Sequence, residues 1–504
     1  MGVRRSFPKS GAEVALRLIE LTRGLADIAV ASGADQEIAG LSADSRAIRP
    51  GFLFAALPGT KVDGAQFIAD ALARGAIAVL ARPEHAAAAS NTRAAFLAAD
   101  NPRQIYARLA ARFFARQPAV VAAVTGTNGK TSTVHFLRQM WSQLDLRAAS
   151  VGTLGIVGAG GETLRPGGLT TPDPAELHRA LRDLADGGVD HLAIEASSHG
   201  LDQYRLDGVR LTAAAFTNLT RDHLDYHRDM DAYLAAKRRL FVELLPNGAT
   251  AVVRLGAPGA DAILAACRAR KLKIVTYGGA GADLEPRAIV PSPGGQHLDL
   301  AVFGVKSSVE FPLPGAFQAE NALCALGLAL ACGADPARAE ATLTRLTSVP
   351  GRLEKAGVSR AGGAVYVDYA HTPDALANVL AALRPHATGR LAVVFGCGGE
   401  RDPGKRAEMG RIAARLADAV IVTDDNPRGE DAAQIRRAVL GACPGADEVP
   451  DRRLAIRAAV ARLRAGDVLV LAGKGHERYQ IVGTESHPFD DAAEARAALA
   501  EAGV

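Results

Sequence analysis

The chain has few cysteines for its length, and none falls in a close pair: Cys267, Cys324, Cys332, Cys397 and Cys443 are five among 504 residues. An odd set without paired spacing argues against a disulfide framework or a structural zinc site and fits a reducing cytoplasm. Long hydrophobic runs are also missing. Nothing approaches the ~18 uninterrupted apolar residues of a membrane span. Near the start, Arg4, Arg5 and Lys9 precede an apolar patch that Arg17 and Glu20 interrupt before a signal-peptide core forms. Charge excess is small: 58 basic against 54 acidic residues leave +4. That gives no general drive toward nucleic acid, so acidic ligands must be met by local basic groups. Low-complexity linkers and short-period repeats are absent too.

What is present reads as a globular protein. Hydrophobic residues make up 48% and charged residues 22%, and the length suits about three domains at roughly 150 residues each. The first hundred residues hold a strand at Gly51 to Leu57, a turn from Pro58 to Gly64, an amphipathic stretch and a strand at Ala76 to Ala81. From Ala119 the texture changes to buried apolar runs followed by helical patterns. Ala119 to Val124 reads as a strand, and Val134, Leu137, Trp141 and Leu144 share one helical face. Runs at Val189 to Ile194 and Ala249 to Val253 continue the alternation, as a mostly parallel sheet with crossover helices requires. Ala364 to Val367, Leu391 to Phe395, Ala419 to Val422 and Val468 to Leu471 predict a second doubly wound sheet. Boundaries are expected near residue 112 and at Ser348-Val349-Pro350-Gly351.

Gly126-Thr127-Asn128-Gly129-Lys130-Thr131-Ser132 lies between a strand and a helix. That context makes a phosphate-binding loop credible. Glycines let backbone N–H groups point at phosphate oxygens, Lys130 supplies charge to the terminal phosphates, and the Thr131 hydroxyl can ligate Mg²⁺. The spacing GxxGKT is two residues shorter than the usual phosphate loop. A tight strand-to-helix turn is the competing reading, but four chemically apt residues at the needed places weigh against it.

A triphosphate site needs a carboxylate for Mg²⁺, and Glu195 ends the next strong strand, where ligands gather in α/β sheets. Asn218 to His227 carries His223 and His227 at helical spacing. A zinc hydrolase is disfavoured there, since no glutamate adjoins the first histidine and no third ligand is evident. His223 fits better as a contributor to a second Mg²⁺ site. Lys237 follows on a helix with an apolar opposite face, and spacing alone gives it only the role of a solvated surface charge.

In the last third, Gly399-Glu400-Arg401-Asp402, Asp424-Asp425-Asn426-Pro427-Arg428 and Gly473-Lys474-Gly475-His476-Glu477 each follow a strand. Three such loops can converge on one crevice. Arg401 and Arg428 set against Asp425 and Glu477 suit a ligand that carries carboxylate and ammonium together, an amino acid being the natural candidate. Taken singly, each loop could be an ordinary surface turn.

Together these residues resemble the Mur ligases. The likeness runs from about Ser42 to about Glu477. It is carried by Asp44-Ser45-Arg46, the phosphate loop, Thr170-Thr171-Pro172, Glu195 to His199, Asn218 to His227, Gly351 to Glu354, Asp368-Tyr369-Ala370-His371, Asp425 to Arg428 and Gly473 to Glu477. The resemblance implies an α/β protein of three domains: an N-terminal UDP-sugar-binding domain (1–111), a central phosphate-loop ATPase domain with a mostly parallel sheet (112–347), and a C-terminal Rossmann-like amino-acid-binding domain (348–504). It implies a monomer with small-molecule substrates and no nucleic-acid partner. ATP would drive amide formation on a UDP-N-acetylmuramoyl dipeptide through an acyl phosphate. Ser45, Thr60, Lys61, Val62, Thr170, Thr171, Ser197, Gln203 and Arg205 would meet that substrate. ATP would be served by Gly126 to Ser132, Asn321, Arg352, Asp368 and His371. Lys130, Lys237 and His223 would carry the catalysis. Two Mg²⁺ would sit on Thr131, Glu195, His223 and Lys237, the lysine as its carbamate, N6-carboxylysine.

Within the family, the Asp425-Asn426-Pro427-Arg428 loop resembles that of members that add meso-diaminopimelate, with Arg401, Gly473 and Glu477 as further contacts. Lysine-adding relatives lack the arginine. Two departures stand out. Arg254-Leu255-Gly256-Ala257 replaces the family's Asn-x-Asp-Asp turn, and Ala65-Gln66 replaces a bulkier polar pair after Asp63-Gly64. A folylpolyglutamate-synthase-like ligase would share the phosphate loop but not the Asp-Asn-Pro-Arg loop. A binding module without catalysis is disfavoured by Glu195, His223 and Lys237.

Overall fold

The computed structural model describes residues 15–30, 35–59, 62–90, 92–224, 226–292 and 294–501. Thr60 and Lys61, expected at the uridine nucleotide, lie outside the described residues, as does Asp225 of the histidine segment. The chain divides into two compact units, Met1–Leu284 with Leu323–Glu340, and Glu285–Ala322 with Ala341–Val504.

Besides a short antiparallel pair of Leu16–Arg17 with Glu37–Ile38, the first unit holds two larger, separate sheets. In the smaller, Ala95–Ala98, Ala76–Ala81, Phe52–Ala55 and Gly40–Ser42 run parallel in that order, and Ala29–Val30 pairs antiparallel with the first of them. In the larger, Ala148–Gly152, His191–Glu195, Val120–Thr125, Ala213–Phe216, Thr250–Arg254 and Lys273–Tyr277 are parallel neighbours. Val121 to Val124 are wholly buried, as expected of a strand covered by helices on both faces. The helix Lys130–Gln143 is apolar beyond its anticipated stripe: Phe136 and Met140 are buried beside Val134, Leu137 and Trp141, while Leu144 only caps it.

In the second unit, Ala364–Asp368, Val468–Ala472, Leu391–Phe395, Ala419–Val422 and Asp447–Glu448 form parallel neighbours, flanked by antiparallel Glu354–Val358. The same unit contains a hairpin of Gly295–Val302 and Val305–Phe311 that the search for apolar runs did not anticipate. Its second strand opens on exposed residues and then alternates exposed with buried ones, Val309 and Phe311 inward, so no continuous apolar run marks it. Phe303 and Gly304 form its two-residue turn with φ of 49° and 81°, the positive pair that suits strand twist.

The departure at Arg254 to Ala257 still makes a turn. Leu255 N–H donates to Tyr277 O at 2.8 Å, and Gly256 takes φ 73°. Asp63 caps the short 3₁₀ turn Gly64–Phe67 by accepting from Ala65 N–H at 2.9 Å, so the small Ala65 leaves that turn intact.

Candidate active site

The phosphate loop leaves Val120–Thr125 and enters Lys130–Gln143. Gly126 is obligatory: its φ is 148°, and a β-carbon there would stand 1.9 Å from Thr217 Oγ1. Lys130 Nζ donates to Gly126 O and Thr127 O at 2.9 and 2.8 Å, folding its charge over the loop. Asn218 Oδ1 accepts from Asn128 N–H at 2.9 Å, and Thr217 Oγ1 donates to Asn128 O at 2.6 Å. The next parallel strand thereby braces the loop.

Glu195 is completely buried. It accepts from Thr131 Oγ1 at 3.1 Å, Thr153 N–H at 2.9 Å and Thr153 Oγ1 at 3.2 Å. These donors are all neutral. Hard oxygen donors of this kind suit Mg²⁺, which makes Thr131 and Glu195 a fitting pair to hold it. Thr153 went unnoticed in the sequence, because nothing in its local spacing links it to a strand end more than forty residues away. From Thr153 the network continues to Thr170 Oγ1 at 3.2 Å. Thr171 Oγ1 donates to Glu195 O at 2.9 Å and lies 3.0 Å from Ser197 Oγ. Arg205 donates to Thr171 O at 2.8 Å and to Gln203 Oε1 at 2.7 Å.

Thr170, Thr171, Ser197, Gln203 and Arg205 are thus brought together with the phosphate loop. Beside them a cavity of about 90 Å³ is lined by Arg103, Tyr106, Asp173, Gln203 and Arg205. Ser45 is buried in the turn Ser45–Ala47, whereas Val62 is half exposed.

Lys237 overturns its reading as a surface charge. Its helix, Met230–Arg239, turns it inward to 1% exposure. Nζ donates to Gly126 O at 2.8 Å and lies 4.2 Å from the centre of the Tyr233 ring. Burial, and after it the nearby Lys130 charge, lower its pKa well below the ordinary lysine value.

His223 and His227 both precede the helix Met230–Arg239, and their four-residue spacing is reflected in a bond from His227 N–H to His223 O at 2.9 Å. His223 takes φ 53°, and Asp222 Oδ1 accepts from its N–H at 2.8 Å. The side chains stack in an aromatic cluster, His199 against His223 at 4.9 Å and His227 against Tyr233 at 5.1 Å. No group of three or more histidine, cysteine or acidic side chains is arranged for a metal among the described residues.

The second unit gathers the three polar loops. Gly399 N–H donates to Asn426 O at 2.9 Å, and a β-carbon on Gly399 would stand 1.9 Å from Pro427 O, so only glycine permits this approach. Arg428 donates from Nη1 to Gly399 O at 2.8 Å. A β-carbon on Gly398 would lie 3.0 Å from Arg428 Nη1 and 3.9 Å from Arg401 Cγ, so both arginines border one glycine. Asp425 approaches Gly473, and Asn426 Nδ2 donates to Glu477 Oε2 at 3.0 Å.

Arg352 lies over the Tyr369 ring at 4.6 Å. Asp368 accepts from Leu353 and Ala370 N–H at 2.7 and 2.9 Å. His371 lies 4.5 Å from Tyr369, ring to ring. Asn321 donates to Gln318 Oε1 at 3.4 Å, and Gln318 in turn to Arg352 O at 2.9 Å. Burial pushes His476 down to about 4, so the ring stays neutral.

Comparison with known proteins bears on both units. A model of the Mur ligase family, catalytic domain, matches residues 37–114, one of the Mur ligase middle domain matches 124–329, and one of the Mur ligase, glutamate ligase domain, matches 351–475. UDP-N-acetylmuramoyl-L-alanyl-D-glutamate–2,6-diaminopimelate ligase of Mesorhizobium japonicum is 50% identical over 478 residues, covering 95% of this chain and 98% of that protein. The enzyme of the same name from Caulobacter vibrioides is 52% identical over 469 residues, covering 92% and 96%. A solved structure bearing that name superposes with a TM-score of 0.72 at 35% identity, covering 97% of this chain and all of that one. A folylpolyglutamate synthase of Mycobacterium tuberculosis, at 21% identity and TM-score 0.60 over 76% of this chain and 91% of that one, shares the fold.

Proposed function

Since the chain belongs to the Mur ligase family, we propose that it joins meso-2,6-diaminopimelate to the D-glutamyl carboxylate of UDP-N-acetylmuramoyl-L-alanyl-D-glutamate at the expense of ATP, a step in peptidoglycan precursor synthesis. The observation that carries this reading is the near-full-length identity of about half to relatives bearing that name. The Asp425-Asn426-Pro427-Arg428 loop supports the choice of amino acid.

A carboxylate cannot release oxide to an amine at neutral pH. The γ-phosphoryl group of ATP therefore moves to a D-glutamyl carboxylate oxygen and ADP leaves. The amine then attacks the carbonyl carbon of the acyl phosphate, phosphate departs and the amine loses a proton. Lys130 and the N–H groups of Gly126 to Ser132 hold the phosphates and offset charge developing in transfer. Mg²⁺ supplies further charge neutralisation when bound, and Thr131 and Glu195 are the residues to hold it. Thr170, Thr171, Ser197, Gln203 and Arg205 place the dipeptide arm, with Ser45, Thr60, Lys61 and Val62 assigned to the uridine end by the resemblance. Asn321, Arg352, Asp368 and His371 are assigned to ATP by the resemblance.

A second Mg²⁺ is assigned to His223 and to Lys237 as N6-carboxylysine. The depressed basicity of Lys237 supports this assignment, because only a neutral amine adds to carbon dioxide, losing a proton to give the carbamate. Arg401, Arg428, Asp425 to Pro427, Gly473 and Glu477 orient the amino acid, a contribution made mainly through entropy. The family matches, in their order, support the division 1–111, 112–347 and 348–504, and the reading places a monomer in the cytoplasm.

The test is ADP release with the UDP-muramyl dipeptide and either meso-diaminopimelate or L-lysine. Diaminopimelate should be strongly preferred. A charge-assisted bond from Arg428 is worth about 1.5–3 kcal/mol, so Arg428→Ala should cut that preference roughly tenfold to a hundredfold. Preference for lysine would sink the reading.

A further inference from the structure

The assigned chemistry leaves Lys474 without a task, although its side chain is wholly buried and an ammonium is rarely buried without a partner. Its Nζ donates to Asn426 Oδ1 at 2.9 Å and lies 3.5 Å from Glu477 Oε2. Asn426 Oδ1 also accepts from Ile481 N–H at 3.0 Å. Both groups are donors only, so the oxygen of the Asn426 amide must face them. Its nitrogen then has to face Glu477, and Nδ2 does donate to Glu477 Oε2 at 3.0 Å. One carboxylate oxygen is thus held from two sides inside the fold. The side chain of Glu477 remains 19% exposed.

We propose that Lys474 is a positioning residue for the incoming amino acid: it locks the Asn426 amide and holds Glu477 turned so that its remaining oxygen receives an ammonium group. The proposal rests on the reading of these loops as the amino-acid site. Lys474 reaches two partners at once, Asn426 Oδ1 at 2.9 Å and Glu477 Oε2 at 3.5 Å. Without it, Asn426 Oδ1 keeps only Ile481 N–H and Glu477 Oε2 keeps only Asn426 Nδ2, so the carboxylate is less firmly aimed at an ammonium group.

Two variants separate this role from packing. Lys474→Met keeps the bulk and removes both charge and donor, whereas Lys474→Gln removes the charge but keeps an N–H donor for Asn426 on a slightly shorter side chain. Initial rates of ADP release are measured while meso-diaminopimelate, ATP and the UDP-muramyl dipeptide are varied in turn. The expected result is at least a tenfold rise in KM for diaminopimelate in Lys474→Met and a smaller rise in Lys474→Gln. KM for ATP and for the UDP-muramyl dipeptide should stay within twofold.

A diaminopimelate KM within twofold of native in a folded variant overturns the proposal. So does a fall in kcat with all three KM values unchanged, the mark of a merely structural residue. If Lys474→Met does not fold, Lys474→Gln carries the same comparison. Native protein that releases no ADP with diaminopimelate would instead refute the assignment of the site, a result recognisable before any variant is made.

Discussion

His178 offers a clean test of the electrostatics beneath the helix that carries Lys237. It lies on the helix Pro174–Asp186 at 4% exposure, with Nε2 3.1 Å from Asp207 O. Asp207 in turn binds Arg239 through two 2.7 Å contacts, and Arg239 ends the helix that carries Lys237. Burial, and to a lesser degree the charge of Arg210, push the His178 pKa from 6.5 down to about 4. The folded state therefore prefers the neutral ring. Its contribution is intact above pH 6.5 and is lost as pH falls, because the unfolded chain takes up the proton first. With these two pKa values the loss between pH 7 and pH 5 is about 2 kcal/mol.

His178→Gln keeps a donor for Asp207 O and removes the titration. Trp141 is the single tryptophan and is buried in the same unit, so urea unfolding followed by its fluorescence reports the right region. The native protein should lose about 2 kcal/mol more than the variant over that interval, since every other titrating group is common to both. Parallel profiles, differing by less than about 0.5 kcal/mol, would mean that His178 does not titrate as its burial requires.

Two further outcomes follow from buried charges. Lys237→Arg should lose activity about as fully as Lys237→Ala, by roughly 10²–10³-fold, because a guanidinium cannot become a carbamate. An arginine variant retaining a tenth of native ADP release would favour a simple cation at that place. Arg452 and Asp491 form a fully buried bidentate pair at 2.7 Å, with Arg452 also donating to Ala472 O at 3.0 Å. Arg452→Ala should cost about 3–5 kcal/mol by stranding Asp491, while replacing both by apolar residues should recover most of it. Hydrogen exchange of Val468–Ala472 measures the difference, and protection unchanged in the single variant would refute it.

Much of the fold was legible because parallel strands buried on both faces leave continuous apolar runs. Ala76–Ala81, Leu391–Phe395 and Ala419–Val422 fall where those runs lie. The strands of Gly295–Val302 and Val305–Phe311 were not, since an antiparallel pair with one face outward breaks the run into alternation. The site was legible wherever its chemistry sits in one loop, as in Gly126 to Ser132 or Asp425 to Arg428. It was not where partners are remote in sequence. Thr153 meets Glu195 across a strand pair, and Tyr233 reaches Thr127 Oγ1 at 3.1 Å from a helix a hundred residues on. Neither has a local signature.

The lysines show most sharply what spacing cannot decide. Lys130 follows a glycine at a helix start, and that place alone predicts a phosphate partner. Lys237 sits among alanines in a helix and Lys474 between glycines in a turn, settings that surface lysines share. What distinguishes them is the far side of the fold. Gly126 O waits for Lys237, and the Asn426 amide with Glu477 waits for Lys474. A buried ammonium survives only where the fold supplies such acceptors or lowers its basicity, and the two lysines take different routes. Burial, and after it the Lys130 charge, drive Lys237 toward the neutral amine. Lys474 faces a carboxylate and an amide oxygen, two acceptors that hold it in place. The same residue type, equally hidden, is thereby stripped of basicity in one unit and anchored between two acceptors in the other.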